Sequence, residues 1–296
     1  MKLVKYRYKN SESYGVLTQN SVVVCLPSLA KHLHKRMPKT LEEFIAAGAV
    51  EKAEEMFVNA SQDIINKFSL SPSEVKVLAP IANPPKIICL GLNYKDHAAE
   101  QNAPIPDEPI IFFKPRTAII GPYEHIIKPK IVKQLDYEAE LAVIVGKKAK
   151  NVPVSEARSY IFGFTILNDV SARDIQFKDK QWTRGKSFDT FAPIGPCIVT
   201  RNQIGDVSNL YVRTWVNNEL RQNSTTRNMV FNVYEVLHHL SKVMTLEPCD
   251  IIATGTPAGV GFAMKPKPKF LQVGDVVRIE IEGIGILENV VVEETQ

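Results

Sequence analysis

The sequence lacks the features that mark several large classes of protein. Its four cysteines include no CxxC pair, which argues against a zinc ribbon or a dithiol redox centre. No apolar run is long enough to cross a bilayer, and no basic stretch with interleaved aromatic residues indicates a nucleic-acid surface. The net charge of +4 is spread along 296 residues. We therefore expect neither nucleic acid nor a membrane as a partner.

Motifs of nucleotide binding and serine hydrolysis are also missing. Residues 254–261, TGTPAGVG, are rich in glycine, but the Walker lysine is absent and the spacing is not GxGxxG. No G-x-S-x-G sequence is present. The N-terminus has no apolar signal core. These absences lead us to expect an intracellular protein, in the cytoplasm, or in the mitochondrial matrix if the organism is eukaryotic.

An apolar content of 45% is enough for a sizeable core, and the pattern divides the chain into two parts. The first part has short strands near residues 2–8 and 22–26. A capping box of Thr40 and Glu43 predicts a helix from Leu41, and a second helix is expected over residues 51–68. A polar, proline-containing break follows at residues 69–73, and we place a boundary near residues 69–84. We predict a small α+β module over residues 1–75 and a larger part over residues 80–296.

The larger part is rich in strands punctuated by glycine and proline. Strands and helices do not alternate strictly, which argues against a doubly wound sheet or a TIM barrel. The expected class is therefore mostly β with some α, that is, α+β. We predict strands at residues 86–90, 110–113, 138–145, 161–168, 196–199, 210–216, 250–254, 276–281 and 285–292, and helices at 95–101, 155–160 and 232–243.

Three carboxylates stand beside apolar strands. Glu138 and Glu140 precede the β-branched run at residues 141–145, and alternation along a strand places both side chains on one face. Asp169 follows the apolar strand at residues 161–168. Together the three residues are a candidate site for Mg²⁺, Mn²⁺ or Ca²⁺. The alternative is an exposed strand end with both glutamates in water and Asp169 capping a turn or helix.

Two further groups are candidates for catalysis. His97 and Glu100 are three residues apart on a short helix, so both side chains share a face. A carboxylate beside an imidazole fixes its tautomer, as a general base requires. Lys186 lies among apolar residues and could stabilise negative charge on a substrate. The alternatives are a surface histidine with a solvated glutamate, and a lysine that reaches to solvent along the surface.

These motifs, in this order, resemble the fumarylacetoacetate hydrolase superfamily over roughly residues 80–292. In detail, the sequence is most similar to the branch of fumarylacetoacetate hydrolase domain-containing protein 2. The motifs that carry the resemblance are Gly91-Leu92-Asn93-Tyr94 with His97 and Glu100, Phe113-Lys114-Pro115, Asp136-Tyr137-Glu138-Ala139-Glu140-Leu141, Asn168-Asp169-Val170-Ser171-Ala172-Arg173-Asp174, Gly185-Lys186-Ser187-Phe188-Asp189 and Gly255-Thr256-Pro257-Ala258-Gly259-Val260-Gly261.

The resemblance implies a fold, an assembly and a metal site. The fold would be a mixed β-sandwich roll with the small N-terminal α+β module beside it, and the protein would be a homodimer. Glu138, Glu140 and Asp169 would bind Mg²⁺, or Mn²⁺ or Ca²⁺ as in some members. His97 and Glu100 would form a base dyad on a lid helix.

The same resemblance implies how a substrate is bound. Lys186 and Gln176 would contact the substrate or position a water, Thr256 would contact the substrate carboxylate, and Arg173 is a further candidate. Arg116 departs from the sequence pattern of the family, in which a small residue is expected at this position. If Arg116 faces the pocket, it favours a second carboxylate on the substrate; if it faces solvent, it carries no information on specificity.

The substrate class implied is a small 2-oxo acid that enolises on the metal. Oxaloacetate-type keto–enol tautomerisation or isomerisation is the expected outcome. Hydrolysis of a C–C bond in an acylpyruvate or a fumarylacetoacetate-like compound, and decarboxylation of oxaloacetate, remain open because all share the same enolate. A metal-binding scaffold without activity is a further alternative.

Overall fold

The strands carry most of the architecture. The computed structural model describes residues 1–18 and 21–295. The strands in these residues are β1 (Lys2–Tyr8), β2 (Ser11–Leu17), β3 (Val23–Cys25), β4 (Ser69–Leu70), β5 (Val75–Val77), β6 (Ile87–Gly91), β7 (Ile110–Lys114), β8 (Ile119–Ile120), β9 (Ile126–Lys128), β10 (Leu135–Asp136), β11 (Ala139–Val145), β12 (Ile161–Asn168), β13 (Ser171–Ala172), β14 (Ala192–Thr200), β15 (Tyr211–Val216), β16 (Glu219–Thr225), β17 (Ile251–Ala253), β18 (Val276–Ile281) and β19 (Gly285–Glu293).

The helices are short and lie between the strands. The α-helices are α1 (Leu26–His32), α2 (Leu41–Ala46), α3 (Val50–Asn59), α4 (Gln62–Lys67), α5 (Lys95–Glu100), α6 (Val154–Ala157), α7 (Arg173–Asp179), α8 (Thr183–Lys186), α9 (Arg201–Ile204) and α10 (Val233–Val243). Single 3₁₀ turns occur at Pro72–Glu74, Arg116–Ala118, Arg158–Tyr160, Thr226–Asn228 and Gly261–Ala263.

Two sheets pack face to face. The larger has the strand order β4-β3-β2-β1-β14-β12-β11-β17-β6-β7, with β5 and β8 attached to β1 and β14. The smaller has the order β16-β15-β18-β19-β9 and packs on β11, β12 and β14. A third small ladder joins β10 to β13. The predicted α+β class with a mixed β-sandwich is confirmed.

Strand β11 lies at the centre and is buried on both faces. Leu141 and Val143 belong to the core shared with the smaller sheet, whereas Ala142 and Ile144 belong to the core on the opposite face. That second core also contains Phe44 of α2. A strand covered on both faces needs apolar side chains at successive positions, which explains the uninterrupted run of the sequence.

The N-terminal part differs from prediction in several elements. Strand β2 and helix α1 are not among the predicted elements. The expected helix over residues 51–68 is wrong, because the structure divides it into α3 and α4. The Ser61 side chain accepts a hydrogen bond from Ile64 N and so begins a new helix. Strand β1 pairs with β14, so the larger sheet runs through both parts of the chain, and the division at residues 75–80 stays a prediction. Across residues 1–18 and 21–295, no helix combines the length and apolarity needed to span a membrane.

Candidate active site

Antiparallel pairing of β11 with β12 brings the three carboxylates together. Ala139 is opposite Asn168, so Glu138, just before β11, and Glu140, its second residue, meet Asp169 just after β12. Asp169 N donates to the Glu138 carbonyl at 2.9 Å, which extends the pairing of the two strands beyond Ala139 and Asn168. One ligand oxygen from each carboxylate lies within 4.8 Å of the others, and all three residues are buried. The predicted clustering of these residues is confirmed.

Buried cations neutralise two of the three carboxylates. Lys186 Nζ donates to Glu138 Oε2 at 2.8 Å and to Asp169 Oδ2 at 2.9 Å, and Lys114 Nζ donates to Asp169 Oδ1 at 2.5 Å. Arg173 Nη1 lies 2.7 Å from Glu138 Oε1. Although burial opposes ionisation, Lys186 and Arg173 lower the pKa of Glu138 to about 2. Burial lowers the pKa of Lys186, but Asp169 and Glu138 raise it above its usual value overall.

Glu140 differs from its two neighbours. Its Oε2 accepts a hydrogen bond from Gly255 N at 2.7 Å, but its Oε1 has no hydrogen-bond partner in the described part of the chain. Burial, together with Asp169 and Glu138, raises the pKa of Glu140 well above its usual range. Three clustered carboxylates, one of which has an unpartnered buried oxygen, provide the oxygen ligands that a hard divalent cation prefers. Glu138, Glu140 and Asp169 therefore fit Mg²⁺, Mn²⁺ or Ca²⁺.

Helix α5 holds the histidine over the same site. Strand β6 ends beside β17 in parallel pairing, so α5, which follows β6, lies near the loop after β17. His97 Nδ1 is 2.6 Å from Glu100 Oε1, which confirms that the two side chains share a face. Glu100 Oε2 accepts from Gly259 N at 2.9 Å, and Asp96 accepts from Ser224 Oγ at 2.5 Å. These bonds tie one end of α5 to strand β16 and the other to the loop after β17.

A polar chain positions Thr256. Gln222 Nε2 donates to Thr256 Oγ1 at 2.8 Å and to the Pro257 carbonyl at 2.9 Å. Because Thr256 accepts this bond, its own hydroxyl hydrogen is available to a ligand. Gln176, in the first turn of α7, accepts from Arg173 Nη1 at 3.0 Å through its Oε1. Its amide nitrogen is the end left to face a ligand.

Part of this arrangement lines one cleft that encloses about 500 Å³, counted out to its open mouth. The side chains that line it are His97, Glu138, Arg173, Gln176, Lys186 and Thr256 with Leu90, Leu92, Gln101, Phe112, Phe177, Trp182 and Phe262. Arg116 is the exception among the predicted substrate ligands. It is exposed, donates to Asn83 Oδ1 at 3.0 Å and lies outside the lining. A 3₁₀ turn directs it to solvent, so the pocket-facing alternative is not supported.

Several residues of the site were not given a role by the sequence. Lys114 and Asp136 lie in the motifs that carry the family resemblance, yet local pattern does not show that Lys114 is buried or that Asp136 Oδ2 accepts from Arg173 Nε at 2.9 Å. Trp182 and Gln101 line the cleft without any distinctive spacing. Their places depend on the tertiary fold.

Comparison with known proteins agrees with this arrangement. The family model described as fumarylacetoacetate (FAA) hydrolase C-terminal matches residues 86–292. The chain belongs to the fumarylacetoacetate hydrolase family. The fumarylacetoacetate hydrolase domain-containing protein 2 homolog of Dictyostelium discoideum is 44% identical over 95% of this chain and 93% of that protein. The protein named oxaloacetate tautomerase FAHD2B, mitochondrial, of Bos taurus is 46% identical over 86% of this chain and 81% of its own length.

Solved structures share the whole fold. The fumarylacetoacetate hydrolase of Exiguobacterium antarcticum superposes with a TM-score of 0.84 at 36% identity, covering 99% of this chain and 100% of that chain. A maleylpyruvate hydrolase of Sphingobium, solved with manganese(II) and pyruvate, gives a TM-score of 0.80 at 27% identity, covering 100% of both chains. The expectation of an enzyme of the hydrolase and isomerase type is confirmed.

Proposed function

We propose that the protein catalyses keto–enol tautomerisation of oxaloacetate-type 2-oxo dicarboxylic acids. One observation carries the proposal. A single cleft is lined by Glu138 of the carboxylate trio, by His97, whose ring contacts Glu100, by the buried Lys186 and by Arg173, which has a free donor. Such a cleft can bind a small diacid and move one proton. The tautomerase name of the Bos taurus relative supports the same reaction.

The carboxylate trio is the place for a divalent cation. Glu138, Glu140 and Asp169 would hold Mg²⁺, with Mn²⁺ or Ca²⁺ as alternatives, and the manganese in the Sphingobium neighbour supports this choice. A bound cation would polarise the substrate's oxygen atoms as a Lewis acid. The homodimer implied by the resemblance stays a prediction.

The remaining cleft residues suit a substrate with two carboxylates. The Lys186 ammonium is buried beside the trio and would stabilise negative charge that develops on a substrate oxygen. Arg173 Nη2 is buried and has no hydrogen-bond partner among the residues described, so it is free to donate to a distal carboxylate. The Thr256 hydroxyl would donate to the other carboxylate. A substrate with an alkyl arm in place of the distal carboxylate would leave the Arg173 donor unpaired, so such a substrate is disfavoured.

His97 is the group that moves the proton. Glu100 orients its ring through Nδ1, so Nε2 is the nitrogen that exchanges a proton with the substrate. In ketonisation the enol O–H bond breaks and a C–H bond forms at C3. The C2=C3 double bond becomes a single bond as the C2=O bond forms. No carbon–carbon bond is broken, which distinguishes this outcome from hydrolysis or decarboxylation.

The test is an ultraviolet assay of enol-oxaloacetate decay with purified protein and Mg²⁺. We expect faster loss of the enol than in buffer, without pyruvate, and no acceleration by the Glu138→Ala variant. Pyruvate is measured in the same tubes, because decarboxylation would release it. If the protein does not accelerate enol decay, the proposal fails.

Hydrolysis of an acylpyruvate is a second candidate. The aromatic side of the cleft, with Phe112, Trp182 and Phe262, could hold an acyl arm, and the Sphingobium neighbour is named a maleylpyruvate hydrolase. Pyruvate release from an acylpyruvate, with no effect on enol-oxaloacetate, would favour this candidate over tautomerisation.

A further inference from the structure

We infer that Gln101 caps the proton-accepting nitrogen of His97 in the substrate-free protein, so that substrate must displace the Gln101 amide. Gln101 follows α5 directly and lines the cleft with His97. The role of His97 as the base rests on the proposed function. The hydrogen-bond arrangement does not depend on it.

Two distances fix which end of the Gln101 amide faces the histidine. Its Nε2 lies 2.8 Å from His97 Nε2 and 3.3 Å from the His97 carbonyl oxygen. A carbonyl oxygen can only accept a hydrogen bond. The amide nitrogen, and not the amide oxygen, must therefore occupy this position, since the reverse orientation would place two acceptors against each other.

The amide orientation in turn assigns the tautomer of His97. An NH₂ group that donates to His97 Nε2 requires a lone pair on that nitrogen. The ring proton is then on Nδ1, which donates to Glu100 Oε1 at 2.6 Å. His97 is therefore neutral and in the tautomer of a working base. The lone pair that would take a substrate proton is, however, already occupied by Gln101.

This arrangement makes a quantitative prediction about binding. The substrate competes with the amide for Nε2. The apparent association constant of the substrate is therefore the intrinsic constant multiplied by the fraction of molecules in which Nε2 is free. One hydrogen bond of ordinary strength corresponds to a factor of roughly 2 to 10. The Gln101 side chain is only half-buried at the end of α5, so it can turn away without disturbing the core. Removing the amide should lower KM by that factor and leave kcat unchanged.

The test compares Gln101→Met with a matched control, Gln62→Met. Methionine keeps the length of the side chain but has no amide, and Gln62 is exposed on α4 and is not part of the cleft lining. Diethyl pyrocarbonate acylates a free imidazole lone pair, with loss of ethyl carbonate. We expect the His97 peptide, followed by mass spectrometry, to be modified roughly 2- to 10-fold faster in Gln101→Met only.

Nitrogen-15 NMR of the histidines supplies an independent readout. In the wild type, the His97 signals should be those of the Nδ1–H tautomer with a hydrogen-bonded Nε2. In Gln101→Met the Nε2 resonance should move downfield, toward that of a bare nitrogen, while Nδ1 stays in place. A wild-type protein with the Nε2–H tautomer, or equal acylation rates in all three proteins, would overturn the inference.

Kinetics separate this inference from the proposed function. A higher KM or a lower kcat in Gln101→Met would show that the amide supports the base instead of capping it, and the inference would be wrong. If the wild type does not accelerate enol decay while acylation and NMR behave as expected, the capping by Gln101 holds and only the proposed function fails.

Discussion

Replacing Glu140 with glutamine should separate metal binding from stability. Glu140 is buried beside two carboxylates and has no cationic partner among the residues of the described structure, so ionising it in the metal-free protein is unfavourable. Its folded-state pKa is raised, which means that it opposes folding once the pH exceeds its unfolded pKa. Glutamine can still accept the Gly255 N–H and carries no charge. Glu140→Gln should therefore be at least as stable as the wild type near neutral pH without metal.

The same substitution at Glu138 should behave in the opposite way. Glu138 pairs with Lys186 at 2.8 Å and with Arg173 at 2.7 Å, and all three side chains are buried. Removing one partner from a buried ion pair costs about 3–5 kcal/mol. With roughly 2 °C per kcal/mol for a chain of this size, Glu138→Gln should melt about 6–10 °C below the wild type.

Thermal melts in EDTA and in Mg²⁺ provide the assay. A cation at 100 times its Kd stabilises the wild type by about 2.7 kcal/mol, hence by about 5 °C. Glu140→Gln should lose this increase, because it removes a charged ligand. The reasoning is refuted if Glu140→Gln melts as low as Glu138→Gln in EDTA, or if its melting temperature still rises with Mg²⁺.

Three further predictions follow from the structure. Glu100→Gln should lower kcat by about 100-fold with little change in KM, because His97 loses its orienting carboxylate; steady-state kinetics would contradict this if kcat stayed within about twofold. Gly91→Ala places a Cβ 1.9 Å from the Trp182 ring and should destabilise the fold by about 1–3 kcal/mol in urea unfolding, whereas an unchanged midpoint would argue against this contact. Cys25 should be the one thiol that iodoacetamide alkylates rapidly, with a rate midpoint at lower pH than for an ordinary thiol. Burial raises its pKa, but hydrogen bonds with Ser28, Tyr6 and Ser13 lower it overall, and rapid labelling of any of the three buried thiols would contradict this.

Local periodicity was enough to predict the pairs of residues that act within one element. Side chains alternate along a strand, so Glu138 and Glu140 share a face whatever packs around them. A spacing of three on a helix brings His97 beside Glu100 for the same reason. The α+β class also followed from the order of apolar segments, since strand-rich stretches need few long-range details to be recognised.

Helix ends were less predictable. The break between α3 and α4 depends on a single side-chain cap at Ser61. Such a cap is only slightly more favourable than continuing the helix through this residue. The helix α7, which carries Arg173 and Gln176, begins in a polar segment without a clear apolar period. Marginal local preferences of this kind are decided by what packs against them.

By itself, then, the sequence determined the elements and the chemical types: a β-rich chain, three carboxylates beside apolar strands and a histidine–glutamate pair. Only the tertiary structure decided that the β11–β12 register brings Asp169 to Glu138, that Lys114 is buried against Asp169, and that Arg116 faces solvent. Contacts between residues far apart in the chain depend on how sheets and loops pack as a whole. No local pattern encodes that packing. The sequence therefore indicates which residue types form the site, but not how they are placed relative to one another.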